Sequence, residues 1–207
     1  MELKNERIRS ALEPFGVEVD DQLAEQIRIY VRMLLSWNQR INLTSVTDPQ
    51  QILERHFGES MYGARLLARP DGVLADVGSG AGFPGLALKL VCPALGVKLI
   101  EPTLKKAVFL SEVVRTLGIT RVEVLKDRIE NLGPLQVDCV TARAVGGLEA
   151  LLEWANRNIA ASGQVLLWLG AADAAAARGV GGWSWSESIA IPRSEKRVIL
   201  SGLKAAL

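Results

Sequence analysis

Two hydrophobic rhythms divide the chain. Over residues 1–69 the apolar positions recur at helical spacing: Leu23, Ile27, Tyr30, Val31 and Leu34 follow Asp20, whose side chain suits a helix N-cap. That run ends at Trp37-Asn38-Gln39-Arg40-Ile41-Asn42-Leu43-Thr44-Ser45, too rich in Asn, Ser and Thr to continue as helix. A new helix is expected from Asp48-Pro49-Gln50-Gln51, with Asp48 as cap, Pro49 in the first turn and Gln51 closing a capping-box-like pair. Its apolar face is Leu53, Phe57, Met61, Ala64 and Leu67. Arg69-Pro70-Asp71-Gly72 reads as a turn and separates a helical region, 1–69, from a second region, 70–207.

From residue 73 short apolar runs alternate with helical patterns. Strands are expected at 73–77, 97–101, 121–125, 137–142, 164–169, 185–191 and 197–202, and helices near 84–91, 103–117 and 147–159. Such alternation predicts an α/β fold with a doubly wound, mostly parallel seven-stranded sheet. No clear helix separates the last two strands, so an antiparallel hairpin through Pro192-Arg193-Ser194-Glu195 is expected at the sheet edge. Between them and the fifth strand, Ala171 to Ala177 favours a short helix and Gly179-Val180-Gly181-Gly182 a flexible exit.

The chemistry concentrates where the first strand ends. Asp76-Val77-Gly78-Ser79-Gly80-Ala81-Gly82-Phe83-Pro84-Gly85 is an acid followed by a glycine-rich turn opening a helix, a pattern that brings backbone close to a nucleotide. Gly80, Gly82 and Gly85 satisfy the dinucleotide fingerprint, whereas Asp76 with Gly78, Gly80 and Gly82 gives the D-x-G-x-G-x-G pattern of enzymes using S-adenosylmethionine. Charge favours the second. A pyrophosphate sits poorly beside Asp76, while S-adenosylmethionine carries a sulfonium and an ammonium group that welcome carboxylates. Glu101, ending the run Val97-Lys98-Leu99-Ile100, is placed to accept hydrogen bonds from both hydroxyls of a ribose. The expected fold is therefore a class I methyltransferase, Rossmann-like, with an N-terminal helical extension.

Composition changes this picture little. The 207 residues are 49% hydrophobic and 23% charged, ordinary for a globular chain with a sizeable core. No apolar run approaches a membrane span, the start is too charged for a signal peptide, and a cytoplasmic monomer is expected. Cys92 and Cys139 lack metal or disulfide spacing, so no metal site is expected. With a net charge of +1, any RNA contact must come from a local patch. The candidates are Lys105-Lys106, Arg143, Arg157, Arg193 and Lys196-Arg197, each of which could instead be solvated surface charge.

Several further segments, in their order and spacing, carry a resemblance. They are Trp37-Asn38, Ile41-Asn42-Leu43-Thr44-Ser45-Val46, Arg55-His56, Glu59-Ser60, the glycine turn, Lys105-Lys106 before Phe109-Leu110, Arg128-Ile129-Glu130 and Ala142-Arg143-Ala144. Over nearly its whole length the chain resembles the bacterial small-subunit ribosomal RNA guanine-N7 methyltransferases, first described as glucose-inhibited division protein B. The resemblance implies S-adenosylmethionine as cofactor and 16S ribosomal RNA or the small ribosomal subunit as partner. It implies cofactor contacts at Gly78 and Phe83, at Glu101, at Ile129 and Glu130 beside the adenine, and at Arg143 at the end of the fourth strand. Asp76 and Gly80 join this set through the glycine motif, and Arg143 is the candidate catalytic residue. The chain departs from the pattern in Trp168-Leu169-Gly170, where Lys-Gly is usual, in Glu59-Ser60 for Asp-Ser, and in Glu195-Lys196-Arg197 for Glu-Arg-His.

Other readings stay open at this level. Asp76 can be a strand-end cap, and Arg143 a structural ion pair with Glu130 or Asp127. His56, the only histidine, suits structural use better than general-base catalysis. Asn38 and Asn42 are expected to bond backbone groups, and Trp183 and Trp185 to pack rather than stack on bases. A methyltransferase acting on a small molecule or protein, or a non-catalytic cofactor-binding assembly factor, would share the same cofactor motif.

Overall fold

The computed structural model describes residues 3–143 and 146–205; Ala144 of the quoted motif lies outside the described residues. The N-terminal helices are α1 (Asn5–Leu12), α2 (Asp21–Asn38) and a continuous helical path from Pro49 to Leu66. Asp20 and Asp48 cap as expected, Asp20 Oδ1 accepting from the Leu23 N–H at 2.7 Å and Asp48 Oδ1 from the Gln51 N–H at 2.9 Å. The long path is not a plain α-helix. It begins as α3 (Pro49–Gln51), runs in π geometry over Ile52–Gly58, returns to α4 (Glu59–Tyr62) and tightens to a 3-10 turn over Gly63–Leu66. Such π segments are frequent at functional sites. Asn38 ends α2 as its sequence suggests: Oδ1 accepts the N–H groups of Leu43 and Thr44, and Nδ2 donates to the Thr44 carbonyl. Asn42 is exposed.

The strands are β1 (Val73–Val77), β2 (Gly96–Ile100), β3 (Val122–Leu125), β4 (Val137–Arg143), β5 (Ile159–Gly170), β6 (Trp183–Trp185), β7 (Ile189–Ala190) and β8 (Arg197–Lys204). They lie in the order β3-β2-β1-β4-β5-β8-β6, with β7 also pairing β8. The first five are parallel and β8 runs antiparallel to β5, β6 and β7. The described residues thus form eight strands where the sequence pattern suggests seven. The expected strand 185–191 is two short pieces, because the chain leaves the ladder at Glu187 and Ser188, after the Ser186 N–H bonds the Ser201 carbonyl. The fifth strand also starts earlier than its apolar run, since Ile159 pairs with Val137 before an irregularity that ends where Gln164 pairs with Cys139.

Helices α5 (Gly85–Val91) and α6 (Leu104–Thr116) lie on one face of the sheet, and α7 (Leu148–Asn158) and α8 (Ala171–Arg178) on the other. Strand alternation sorts the core accordingly. Leu74, Leu99, Leu166 and Trp168 face the first layer, where the N-terminal helices contribute Phe15, Ile27, Tyr30 and Phe57, while Ala75, Ile100, Val165 and Leu167 face the second. The N-terminal helices therefore share one core with the sheet, and that packing fixes what they bring to its carboxyl edge.

Candidate functional site

The glycine turn is held from beneath. Asp76 is fully buried, with Oδ1 accepting from Thr141 Oγ1 at 2.7 Å and Oδ2 from the Gly85 N–H at 3.1 Å, while Ser79 Oγ donates to the Asp76 carbonyl. Burial pushes this carboxyl up to about 6, against the pull of its Thr141 and Gly85 bonds and of the nearby Ser79 hydroxyl. Asp76 thus ties β1 to β4 and to the start of α5. Gly78 N–H and Ser79 N–H both donate to the Ile100 carbonyl, which joins the turn to the end of β2. Glu101 is buried, its Oε2 accepting from the Gly80 N–H at 2.9 Å and its Oε1 from the Thr103 N–H at 2.8 Å. Two bonds fix the carboxylate and leave it further acceptor capacity.

A cleft of about 220 Å³ opens beside the turn, lined by Val77, Gly78, Ile100, Ile129, Glu130 and Leu151 among others. Of the residues predicted from sequence, Gly78, Ile129 and Glu130 meet here; Gly80 lies half-exposed within the turn, and Asp76 and Glu101 are buried against it. Gly78 is exposed at φ 70°, a conformation that disfavours a side chain. Phe83 is not part of this lining. It is packed between Tyr30, stacked at 5.3 Å, and His56, stacked at 5.0 Å, with Phe57 edge-on.

Tyr30 is a support that sequence reasoning did not single out beyond its helical spacing. From α2 its hydroxyl donates to the Ala81 carbonyl at 2.6 Å, inside the glycine turn. A Cβ at Gly82 would lie 2.1 Å from the Tyr30 hydroxyl oxygen, so only glycine admits the tyrosine.

Arg143, at the end of β4, borders a second cleft of about 590 Å³ with Arg55, Trp168, Leu169, Asp173 and Arg197. The two clefts share Gly146 and Gly147. The partner of Arg143 is neither Glu130 nor Asp127 but Glu59, whose Oε2 lies 3.6 Å from Nη2. Glu59 reaches it because α4 packs over the sheet, a juxtaposition that local sequence cannot express. Burial lowers the Arg143 guanidinium and Glu59 opposes that shift, while Arg197 and Arg55 add to it. His56 Nε2 is 2.8 Å from Thr44 Oγ1, and burial with the nearby Arg143 and Arg55 pushes it down to about 3. It is a neutral ring packed on Phe83, in line with structural use. Leu169 stands where the lysine of the usual Lys-Gly is absent, so the cations of this wall are the three arginines.

The other basic candidates separate by edge. Lys105 lies in the first turn of α6, Lys196 immediately precedes β8, and both are exposed at the carboxyl edge of β1, β2, β4 and β5. Arg157 lies in the last turn of α7, at the opposite edge, and Arg193 is paired with Glu54 at 2.6 Å. Trp183 is buried and Trp185 half-buried, their rings 6.0 Å apart, which agrees with packing.

This order of strands, with the antiparallel pair beyond β5 and a glycine turn after β1, is the class I methyltransferase fold. Solved structures agree at the level of fold. A SAM-dependent methyltransferase from Aquifex aeolicus superposes with a TM-score of 0.63 at 17% identity, covering 76% of this chain and 94% of that one. A ribosomal protein L11 methylase from Lactobacillus delbrueckii subsp. bulgaricus gives 0.61 at 16%, covering 73% and 80%. The family model described as rRNA small subunit methyltransferase G matches residues 23–179, and the chain belongs to that family. Relatives named ribosomal RNA small subunit methyltransferase G are 40% identical over 157 residues in Chloroflexus aggregans (73% of this chain, 66% of the relative) and 43% over 145 residues in Roseiflexus castenholzii (68% and 62%). A third, from Halorhodospira halophila, is 39% identical over 159 residues, 77% of this chain and 75% of the relative. The chain thus spans a little under two thirds of the first two relatives.

Proposed function

We propose that this protein transfers a methyl group from S-adenosylmethionine to N7 of a guanine in 16S ribosomal RNA. The observation that carries the proposal is the adjacency of two clefts through Gly146 and Gly147, one beside the glycine turn and one walled by arginines. Family membership supplies the reaction class and the RNA.

The first cleft fits the cofactor. A Cβ at Gly80 would meet nothing nearer than the Gly78 carbonyl at 3.7 Å, so the turn leaves open the space a ligand needs. Ile100 and Ile129 offer apolar walls for an adenine, Glu130 borders it, and Glu101 retains lone pairs for the ribose hydroxyls. Asp76 acts by holding the turn, Phe83 by backing it, and Arg143 borders the acceptor side. When bound, S-adenosylmethionine supplies an electrophilic methyl carbon.

Guanine N7 already carries a free lone pair, so the protein has no proton to remove before attack. A neutral His56 with its Nε2 at Thr44 suits that chemistry, since no general base is required. The residues instead position the base and exclude water. Arg143 bonding both O6 and N7 would block the reacting atom, so its contact is to O6 or to a phosphate. N7 lies in a groove that is deep and narrow in A-form RNA, which favours a loop or splayed guanine as target.

No helix among the described residues is long and apolar enough to cross a membrane, and the proposed site of action is the cytoplasm, where ribosomal RNA is. Action as a monomer is part of the proposal. Mapping N7-methylguanine in ribosomal RNA from cells with and without the protein tests the proposal. Loss of one modified guanine in 16S RNA is expected, and identical maps would overturn it.

A further inference from the structure

The second cleft has an unusual wall. Glu59 is 2% exposed, at the first α-helical residue after the π segment Ile52–Gly58 that also carries Arg55 and His56. One carboxylate oxygen bonds Arg197 Nη2, and the other sits 3.6 Å from Arg143 Nη2, beyond hydrogen-bond reach. The Glu59 backbone is itself fixed, because Trp168 Nε1 donates to its carbonyl at 2.7 Å. Arg143 and Arg197 come from β4 and β8, on opposite sides of β5, and share this carboxylate.

Buried polar atoms without a hydrogen bond belong to these same three side chains: Glu59 Oε2, Arg143 Nη1 and Arg197 Nε. Buried groups are normally paired, so these three side chains retain hydrogen-bonding capacity that a water or a bound oxygen can take up. Two guanidiniums repel, and one shared carboxylate lets both stay in a largely buried wall.

We propose that Glu59 is a positioning residue, which from one buried carboxylate holds Arg197 tightly and Arg143 loosely on the wall of the acceptor cleft. The tight bond anchors the pair. The loose one leaves Arg143 free to turn toward an oxygen of the incoming RNA while its position is still set. This inference rests on the RNA methyl-transfer reading for its use, but not for the grip itself.

Glu59→Gln keeps the shape and removes the charge, whereas Glu59→Asp keeps the charge and shortens the reach. Arginine side-chain NMR reports the grip, since a held guanidinium rotates slowly, and methyl transfer to 30S subunits at saturating cofactor reports its use. In Glu59→Gln the Arg143 and Arg197 signals should shift and rotate faster, and kcat should fall roughly 10- to 100-fold, as expected for a displaced positioning group. Calorimetry should show S-adenosylmethionine affinity unchanged, and Glu59→Asp should be intermediate in both the NMR and the rate. Unchanged arginine signals in Glu59→Gln, or altered signals with a wild-type kcat, would overturn the proposal. If Glu59→Gln does not fold, Glu59→Asp decides by the same two readouts, with wild-type signals and rate overturning it. A wild-type protein that methylates no RNA would refute the functional reading, and the NMR comparison would then judge the grip alone.

Discussion

Asp76 is where burial and charge oppose each other most openly, and replacing it with asparagine separates the two. The carboxyl is fully buried, and burial raises its pKa to about 6 in the folded protein against an ordinary 3.8. A raised carboxyl pKa means that the folded state binds the proton more tightly than the unfolded chain. The stability this confers is fully present below pH 3.8 and is lost as pH rises through about 6. The whole difference is worth about 3 kcal/mol, of which about 2 kcal/mol falls between about pH 4.5 and about pH 7.5. The Asp76→Asn variant would have no such slope. Its amide can still serve both partners by accepting from the Gly85 N–H and donating to Thr141 Oγ1. Urea unfolding of wild type and Asp76→Asn across that range should therefore show the variant gaining about 2 kcal/mol on the wild type as pH rises, while every other titrating group cancels in the difference. Parallel pH profiles would show that Asp76 does not titrate in this window, and the account of a buried carboxylate under the turn would fail.

Three further outcomes follow from the site. Gly78→Val places a β-branched residue at φ 70° beside the first cleft, so calorimetry should find S-adenosylmethionine binding abolished in a folded protein, and unchanged affinity would remove the turn from the cofactor site. Tyr30→Phe strips the buried Ala81 carbonyl of its donor and should lower stability by about 1–3 kcal/mol in urea unfolding, a loss absent if the α2 clamp is unimportant. Replacing Lys105 and Lys106 together by alanine should weaken RNA binding and flatten its salt dependence by roughly one to two units of slope, with cofactor affinity retained. An unchanged slope would mean that these lysines are solvated and that the RNA surface lies elsewhere.

The parts of this molecule that are local in sequence were legible there. The caps at Asp20 and Asp48, the strand Val73–Val77, the turn and α6 all follow from patterns a few residues long. The exceptions have physical causes. The π segment cannot be distinguished from α-helix by apolar spacing, and the early start of β5 lies in Ala160-Ala161-Ser162-Gly163, which carries no strand pattern. The split between β6 and β7 is set by the ladder with β8 rather than by local propensity. At the site, the glycine turn and Glu101 are contiguous with their strands and could be read directly. Tyr30 on Ala81 and Glu59 between two arginines could not, because each joins residues 51 or more positions apart through the packing of the N-terminal helices. For the same reason local sequence places Arg143 at the end of the fourth strand but does not show Glu59 as its ion-pair partner.

The central claim is that the arginine-walled cleft presents guanine N7 to a methyl donor bound at the glycine turn. Purified protein incubated with labelled S-adenosylmethionine and 30S subunits, followed by digestion of the RNA to nucleosides and mass spectrometry, tests it most directly when wild type and Arg143→Ala are compared. The account predicts N7-methylguanosine from wild type and a large loss of rate in Arg143→Ala with folding stability little changed. Label on another atom, or Arg143→Ala working at the wild-type rate, would contradict it.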